Sequence, residues 1–237
     1  MIAFYNNFFF EPLYNSLIFL FKVFPWADAG VIVVILTILV RLILFPLSRK
    51  AVLTQVKMNE LNPQIEQIKE KYKSQPEEQA RRTLALYRET GVNPFSGIFV
   101  IIIQIPIIFA LYQIFLHFPK VDGTILYSFV SAPANINTTF LGLVEIGEKS
   151  LLLAFLAGIS TYFQFIVSTK GQKAPKGNSF GDNLAKNMQT QMKFIFPVIM
   201  FFIAYTISGV IGLYFLTTNL FSIAQEIFVR RKLTPTP

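Results

Sequence analysis

The chain contains no cysteine and one histidine in 237 residues. Disulfides, thiolate metal sites and thiol catalysis are thereby excluded, and a lipid-modified N-terminal cysteine is not expected. His117 alone cannot build a multi-histidine metal site. Acidic residues are scarce, 13 against 21 Lys and Arg, and none falls in the middle of a long apolar run. The sequence has no HExxH and no Gly-rich phosphate loop. No Asp pair lies within an apolar run, and no Ser/His or Ser/Lys pair sits at a spacing that suits nucleophilic catalysis. Enzyme chemistry therefore has little support, and no cofactor is expected.

Apolar side chains are what the sequence has in quantity. Hydrophobic residues make up 53% and charged residues 14%, with 26 Phe. This composition predicts an all-α integral membrane protein rather than a soluble domain. Five apolar runs suit membrane-spanning helices: residues 29–47, 95–117, 151–169, 194–207 and 210–229. The fourth is short for a bilayer and calls for local thinning or tilt. Only Ser208 and Gly209 separate it from the fifth, which predicts a tight helical hairpin.

Charge sets the expected orientation. Residues 49–93 hold nine Lys/Arg against six Glu, and residues 170–193 hold five Lys against Asp182 alone. Arg230, Arg231 and Lys232 follow the last run. The opposite side has only Lys22, Lys120 and Lys149, against Glu11, Asp28, Asp122, Glu145 and Glu148. The positive-inside rule then puts the N-terminus outside and the C-terminus in the cytoplasm, which agrees with the parity of five spans.

The segments between the runs have distinct characters. Residues 1–28 lack a basic start and a small-residue cleavage site, so no cleavable signal peptide is expected. Their short aromatic-rich run, broken by Lys22 and Pro25, reads as an interfacial helix; a first spanning helix is the competing reading. In residues 49–93, Leu61, Ile65, Ile68 and Tyr72 recur at helical spacing, as do Ala80, Leu84 and Tyr87. Ser74-Gln75-Pro76 lies between the two sets, and Gly91-Val92-Asn93-Pro94 ends the second. This predicts a cytoplasmic two-helix hairpin with a thin apolar seam, which leans on the membrane or a partner or stays solvated. Residues 170–186 read as a disordered loop and residues 234–237 as a disordered tail end. Residues 118–150 read as an interfacial segment.

One residue stands out against the apolar background. Arg41 lies inside the first run, about 12 Å of helix before Arg49. A guanidinium there costs roughly 2.5–3.5 kcal/mol on insertion scales, and such charges mark functional pathways. Snorkelling is the plain alternative. Helical side chains lean toward the N-terminus, which would carry Arg41 deeper rather than outward. Polar residues share its face: Thr37 at i−4 and Ser48 at i+7. Other runs carry polar stripes too. Gln104 precedes Pro106. Ser160, Gln164 and Ser168 repeat at i+4. Tyr214, Thr218, Ser222 and Gln225 share one face. These faces should turn inward, to bond across a dry bundle or to line a hydrated cavity. No carboxylate stands opposite Arg41, which favours the cavity.

Several segments together resemble the YidC/Oxa/Alb family of membrane protein insertases. They are PLYN at 12–15, TILVRLILFPL at 37–47 and KMNELNPQIEQIKEKYK at 57–73. GVNPFSGIFVIIIQIPIIFALY at 91–112 and GLYFLTTNLFSIAQE at 212–226 complete the set. The resemblance covers nearly the whole chain and fits the compact form, without a large extracytoplasmic domain. It implies a hydrophilic groove open to cytoplasm and lipid and closed outside, with Arg41 as the groove arginine and Gln104 beside it. Hydrophilic parts of a nascent membrane protein would enter this groove transiently. Its apolar segment would slide out along the third and fifth spans. No nucleotide is needed; partitioning and the membrane potential would drive the step. The tail is short and modestly basic, unlike the long ribosome-binding tails of some members. That leaves the hairpin and the second loop as surfaces for a ribosome, targeting factors or a Sec-type translocon. The absence of an obvious transit peptide points to a bacterial plasma membrane.

Two other functions fit parts of the pattern. An anion transporter or channel would use Arg41 as its binding charge and needs a polar path on both sides of it. A structural or chaperone subunit would leave Arg41 paired and dry.

Overall fold

The computed structural model describes residues 2–93, 96–171 and 180–231. The chain opens with a helix in three segments: α1 (Ile2–Tyr5), a π-helical stretch (Asn6–Phe10) and α2 (Glu11–Val23). Pro12 lies just after the π-helical stretch, where the helix lacks the amide that would bond back along it. Tyr14, Leu17, Ile18, Leu20 and Phe21 are buried, so this helix is part of the core.

The PLYN segment has a structural task. Asn15, 2% exposed, donates from Nδ2 to the carbonyls of Glu11 (2.9 Å) and Ile125 (3.0 Å), and its Oδ1 accepts the amide of Tyr127 at 2.7 Å. The Tyr14 hydroxyl accepts the amide of Asp122 at 2.6 Å. Together they pin residues 122–127, including a short 3-10 turn (Gly123–Ile125), onto α2. Asn15→Ala would strip the Ile125 carbonyl and the Tyr127 amide of their buried partner, at a cost of about 2–3 kcal/mol. Amide exchange over 122–127 is then expected to accelerate while the spans stay protected. Unchanged exchange would show that Asn15 is dispensable.

The helix that carries the first apolar run is longer than expected. Helix α3 spans Ala29–Lys71, 43 residues, which is about 65 Å. The expected boundary near residue 48 does not exist, because nothing between Leu47 and Met58 breaks a helix. Pro46 and Pro63 both lie inside α3. Asp28 caps its start, with Oδ1 accepting the amide of Val31 at 3.0 Å. The other Asp28 oxygen accepts the amide of Leu141 at 2.9 Å. Leu141 has φ 54 and Gly142 φ 70, forming the turn between strands β1 (Thr139–Phe140) and β2 (Val144–Glu145). The strands pair antiparallel, Thr139 opposite Glu145. Gly30 lets this hairpin dock, since a Cβ there would overlap the Phe140 ring.

Glu145 makes the small hairpin acid-sensitive. The Thr138 hydroxyl, the Gly147 amide (3.0 Å) and the Thr139 hydroxyl (3.2 Å) hold its carboxyl below the usual range, against a smaller opposing effect of burial. The folded pKa is therefore below the unfolded one. The stabilisation is complete at neutral pH and is lost as pH falls below about 4 and through the folded value. Amide exchange at residues 138–147 is expected to rise on that descent, and Glu145→Gln should flatten the response.

Helix α4 (Pro76–Glu89) folds back on α3 and ends before Gly91, φ +65. The α3 side of the seam is as expected, with Leu61 buried and Ile65, Ile68 and Tyr72 half-buried. The α4 side is not. Ala80 and Leu84 are exposed, and only Tyr87 of the expected stripe is half-buried. Gln79 Nε2 instead donates to the Lys69 carbonyl at 3.1 Å, and the Arg82 guanidinium lies 5.9 Å from the Tyr72 ring centre. Ala85 and Leu86 are half-buried, so the inner side of α4 lies about one residue, or about 100°, round from the expected stripe.

Helices α5 (Ser96–His117), α6 (Leu151–Ser168), α7 (Phe180–Ile207) and α8 (Gly209–Arg231) complete the bundle. Helix α7 begins well before the expected span, so residues 180–193 are helix rather than loop. The added turns lift the apolar part to Gln189–Ile207, 19 residues, and the short fourth span needs no thinning. Residues 172–179 and 234–237, expected to be disordered, lie outside the described residues. Ser208 alone separates α7 from α8. Helix α8 is the hub, packed against α3, α5, α6 and α7.

Among the described residues, four helices are long and apolar enough to cross a membrane: α3, α6, α7 and α8. The described apolar stretch of α5, Ile102–His117, falls short of that length. The count of four spanning helices thus stands below the expected five. Ile43, Phe99, Ile102, Phe109, Leu151, Phe155 and Phe202 face outward from the bundle. Such an apolar belt suits lipid rather than water.

Candidate functional site: a one-sided polar groove

The continuity of α3 puts Arg41, Ser48 and Gln55 on one face, seven residues apart. That face, with α5, α6 and α8, encloses a cavity of about 660 Å³. Gln104 enters from α5, Gln164 and Ser168 from α6, and Asn219, Ser222, Gln225 and Glu226 from α8. Ile105, Ile108 and Phe196 supply apolar wall. The lining on α3 runs from Arg41 to Met58, about 26 Å of helix, and none of it comes from residues 29–40. The cavity therefore reaches partway through the bundle from the hairpin end.

Five of the nine expected site residues line it: Arg41, Gln104, Gln164, Ser222 and Gln225. The other four are buried in helix packing. Thr37 donates to the Val33 carbonyl of its own helix at 2.7 Å. The Tyr214 hydroxyl accepts from Gln104 Nε2 at 3.0 Å and helps close the deep end. Thr218 is buried, and its backbone carbonyl accepts the Ser222 hydroxyl at 2.8 Å. Ser160 and Thr161 both donate to the Ala157 carbonyl and both accept from Asn219 Nδ2, at 3.0 and 2.8 Å. For Thr37, Tyr214 and Ser160 these bonds satisfy polar atoms that would otherwise be costly inside a bundle.

Sequence reasoning missed Gln55 and Asn219. Gln55 continues the i+7 row of Arg41 and Ser48, a signal hidden by ending the helix too early. Asn219 belongs to the row Asn219, Ser222, Glu226, adjacent to the expected α8 stripe.

Two bridges tie the walls together. Gln225 Nε2 donates to the Ser48 hydroxyl at 2.6 Å, joining α8 to α3. The Ser168 carbonyl accepts both Gln55 Nε2 (3.0 Å) and Arg230 Nη2 (3.1 Å), joining the ends of α6, α3 and α8.

The electrostatics are one-sided as well. Among the described residues Arg41 forms no ion pair. The one carboxylate lining the cavity, Glu226, is held by Arg230, whose Nε and Nη2 both lie 2.8 Å from Oε1. Arg41 is thus the cavity's uncompensated charge. A space of this volume, reached by polar side chains from α3, α5, α6 and α8, can hold the water that such a charge requires.

A helical, multi-pass membrane protein with a polar groove entering from one side is the class these features define. The chain matches the family model described as 60Kd inner membrane protein over residues 19–236. It is 32% identical over 203 residues to the membrane protein insertase YidC of Clostridium perfringens, covering 85% of this chain and 79% of that protein. It is 28% identical over 207 residues to the protein of the same name from Clostridium tetani, covering 87% and 84%. The counterpart in Wolinella succinogenes is longer; 28% identity extends over 96% of this chain and 38% of that protein. The chain belongs to the 60Kd inner membrane protein family.

Proposed function

We propose that this protein inserts newly made membrane proteins into a bacterial inner membrane by receiving their hydrophilic segments in the groove. The observation that carries the reading is a cavity that stops partway, with an unpaired guanidinium inside it. Such a cavity shortens the dry distance a polar segment must cross, and its positive charge attracts acidic residues. The client's apolar segment leaves along α6 and α8 into lipid. Partitioning and the membrane potential drive the step, so no nucleotide is consumed. In this reading α5 also crosses the membrane and brings the spans to five, its 22 residues being about 33 Å long. The N-terminal helix lies at the outer interface. The basic hairpin, the segment joining α6 to α7 and the C-terminus face the cytoplasm, where a ribosome, targeting factors or a Sec-type translocon would dock.

An anion pathway is not favoured, because the lining lies on one side of Arg41 only. The test is insertion of a small single-span client into liposomes with and without the purified protein. Protease-protected client is expected only when the protein is present. Equal protection in both would sink the reading.

A further inference from the structure

Glu226 lies at the groove mouth, next to Gln225, which bridges to Ser48. Ser48 is seven residues beyond Arg41, about 10 Å of helix. A segment moving toward Arg41 therefore passes Glu226 first. A bare carboxylate at that point would repel the acidic segments that Arg41 attracts, and in a poorly screened cavity it would be felt over this distance. Arg230 answers that charge. It pairs with Glu226 at 2.8 Å while also donating to the carbonyls of Lys170 (2.9 Å) and Ser168 (3.1 Å). Those carbonyls fix the guanidinium in place.

We propose that Arg230 sets the charge selectivity of the groove by masking Glu226 at its mouth, leaving Arg41 as the charge an entering segment meets. This rests on the insertase reading. Arg230 touches no client; it is a positioning and masking residue.

The experiment uses the full chain in liposomes of neutral phospholipid. Two clients share one apolar span and differ only in a tail carrying either two Asp or two Lys. Arg230→Gln should lower the acidic-to-basic insertion ratio about tenfold. Arg230→Lys keeps the charge and should stay within about twofold of wild type. The double variant Glu226→Gln/Arg230→Gln removes both charges and should restore the wild-type ratio. A role confined to latching α6 to α8 predicts otherwise: equal loss for both clients, no rescue by the double variant, and failure of Arg230→Lys as well. Any of those results overturns the proposal. Wild type that inserts neither client overturns the insertase reading, and this inference with it.

Discussion

Arg41→Ala should cut insertion of an acidic-tailed client by more than tenfold. The guanidinium faces a 660 Å³ cavity and has no ion pair among the described residues. Attraction between it and a carboxylate about 6 Å away is worth about 2–3 kcal/mol at an effective dielectric near 20. That corresponds to a factor of roughly 30–150 in occupancy of the groove. A neutral-tailed client should lose far less, because the other polar side chains lining the cavity remain. Arg41→Lys decides between charge and shape. Near-normal insertion would mean that charge suffices, whereas a loss like that of alanine would mean that the planar fork is needed. Full insertion of the acidic client by Arg41→Ala would reduce Arg41 to a hydration role.

Gly212→Ala should destabilise the protein, against the direction that helix propensity gives. Alanine is favoured over glycine in a helix interior by about 1 kcal/mol. A Cβ at Gly212, however, would sit 2.9 Å from the backbone carbon of Leu153 and 3.0 Å from its oxygen. Backbone cannot turn aside as a flexible side chain can, so α6 and α8 must part. Overpacking of this kind costs about 1–3 kcal/mol and should outweigh the propensity gain. The midpoint of unfolding in mixed detergent should fall, and Gly212→Val should fall further. A rise for the alanine variant would show that the two helices tolerate separation. The Asn219 bonds to Ser160 and Thr161 lie two turns further along the same interface. Parting the helices should therefore also weaken insertion.

The sequence was most legible where one periodicity governed. Apolar length announced the spans, and charge scarcity made Arg41 conspicuous. The rows 41–48, 160–164–168 and 222–225 pointed at a shared polar interior. It failed where two local signals competed. Loss of hydropathy after Leu47 suggested an end to α3, but hydropathy reports the surroundings of a helix, not its continuity. Basic residues before Phe194 hid the start of α7 in the same way. Tyr214 and Ser160 have the polarity of groove residues, yet each lies behind the lining, bonded to Gln104 and Asn219 that do reach the cavity. Pairing across helices depends on rotation and depth, which no single stripe encodes. The inner side of α4 carries Ala85 and Leu86 one residue off the expected stripe, with Gln79 and Arg82 reaching α3 beside them.

Helix α3 joins what the groove holds to what the hairpin meets. One rod of 43 residues carries Arg41 in the bundle and Lys71 near the hairpin tip. The two ends cannot rotate independently without breaking the hydrogen-bond ladder between them. Pro46 and Pro63 each remove one rung of that ladder, and the pivot nearer the groove is Pro46, which leaves the Leu42 carbonyl without an intrahelical donor. That pivot falls between Arg41 and Ser48, at the level where Gln225 clasps α3 from the other wall. A weight resting on the hairpin would therefore act through a long arm on a short one, and the groove would widen or narrow around that fulcrum.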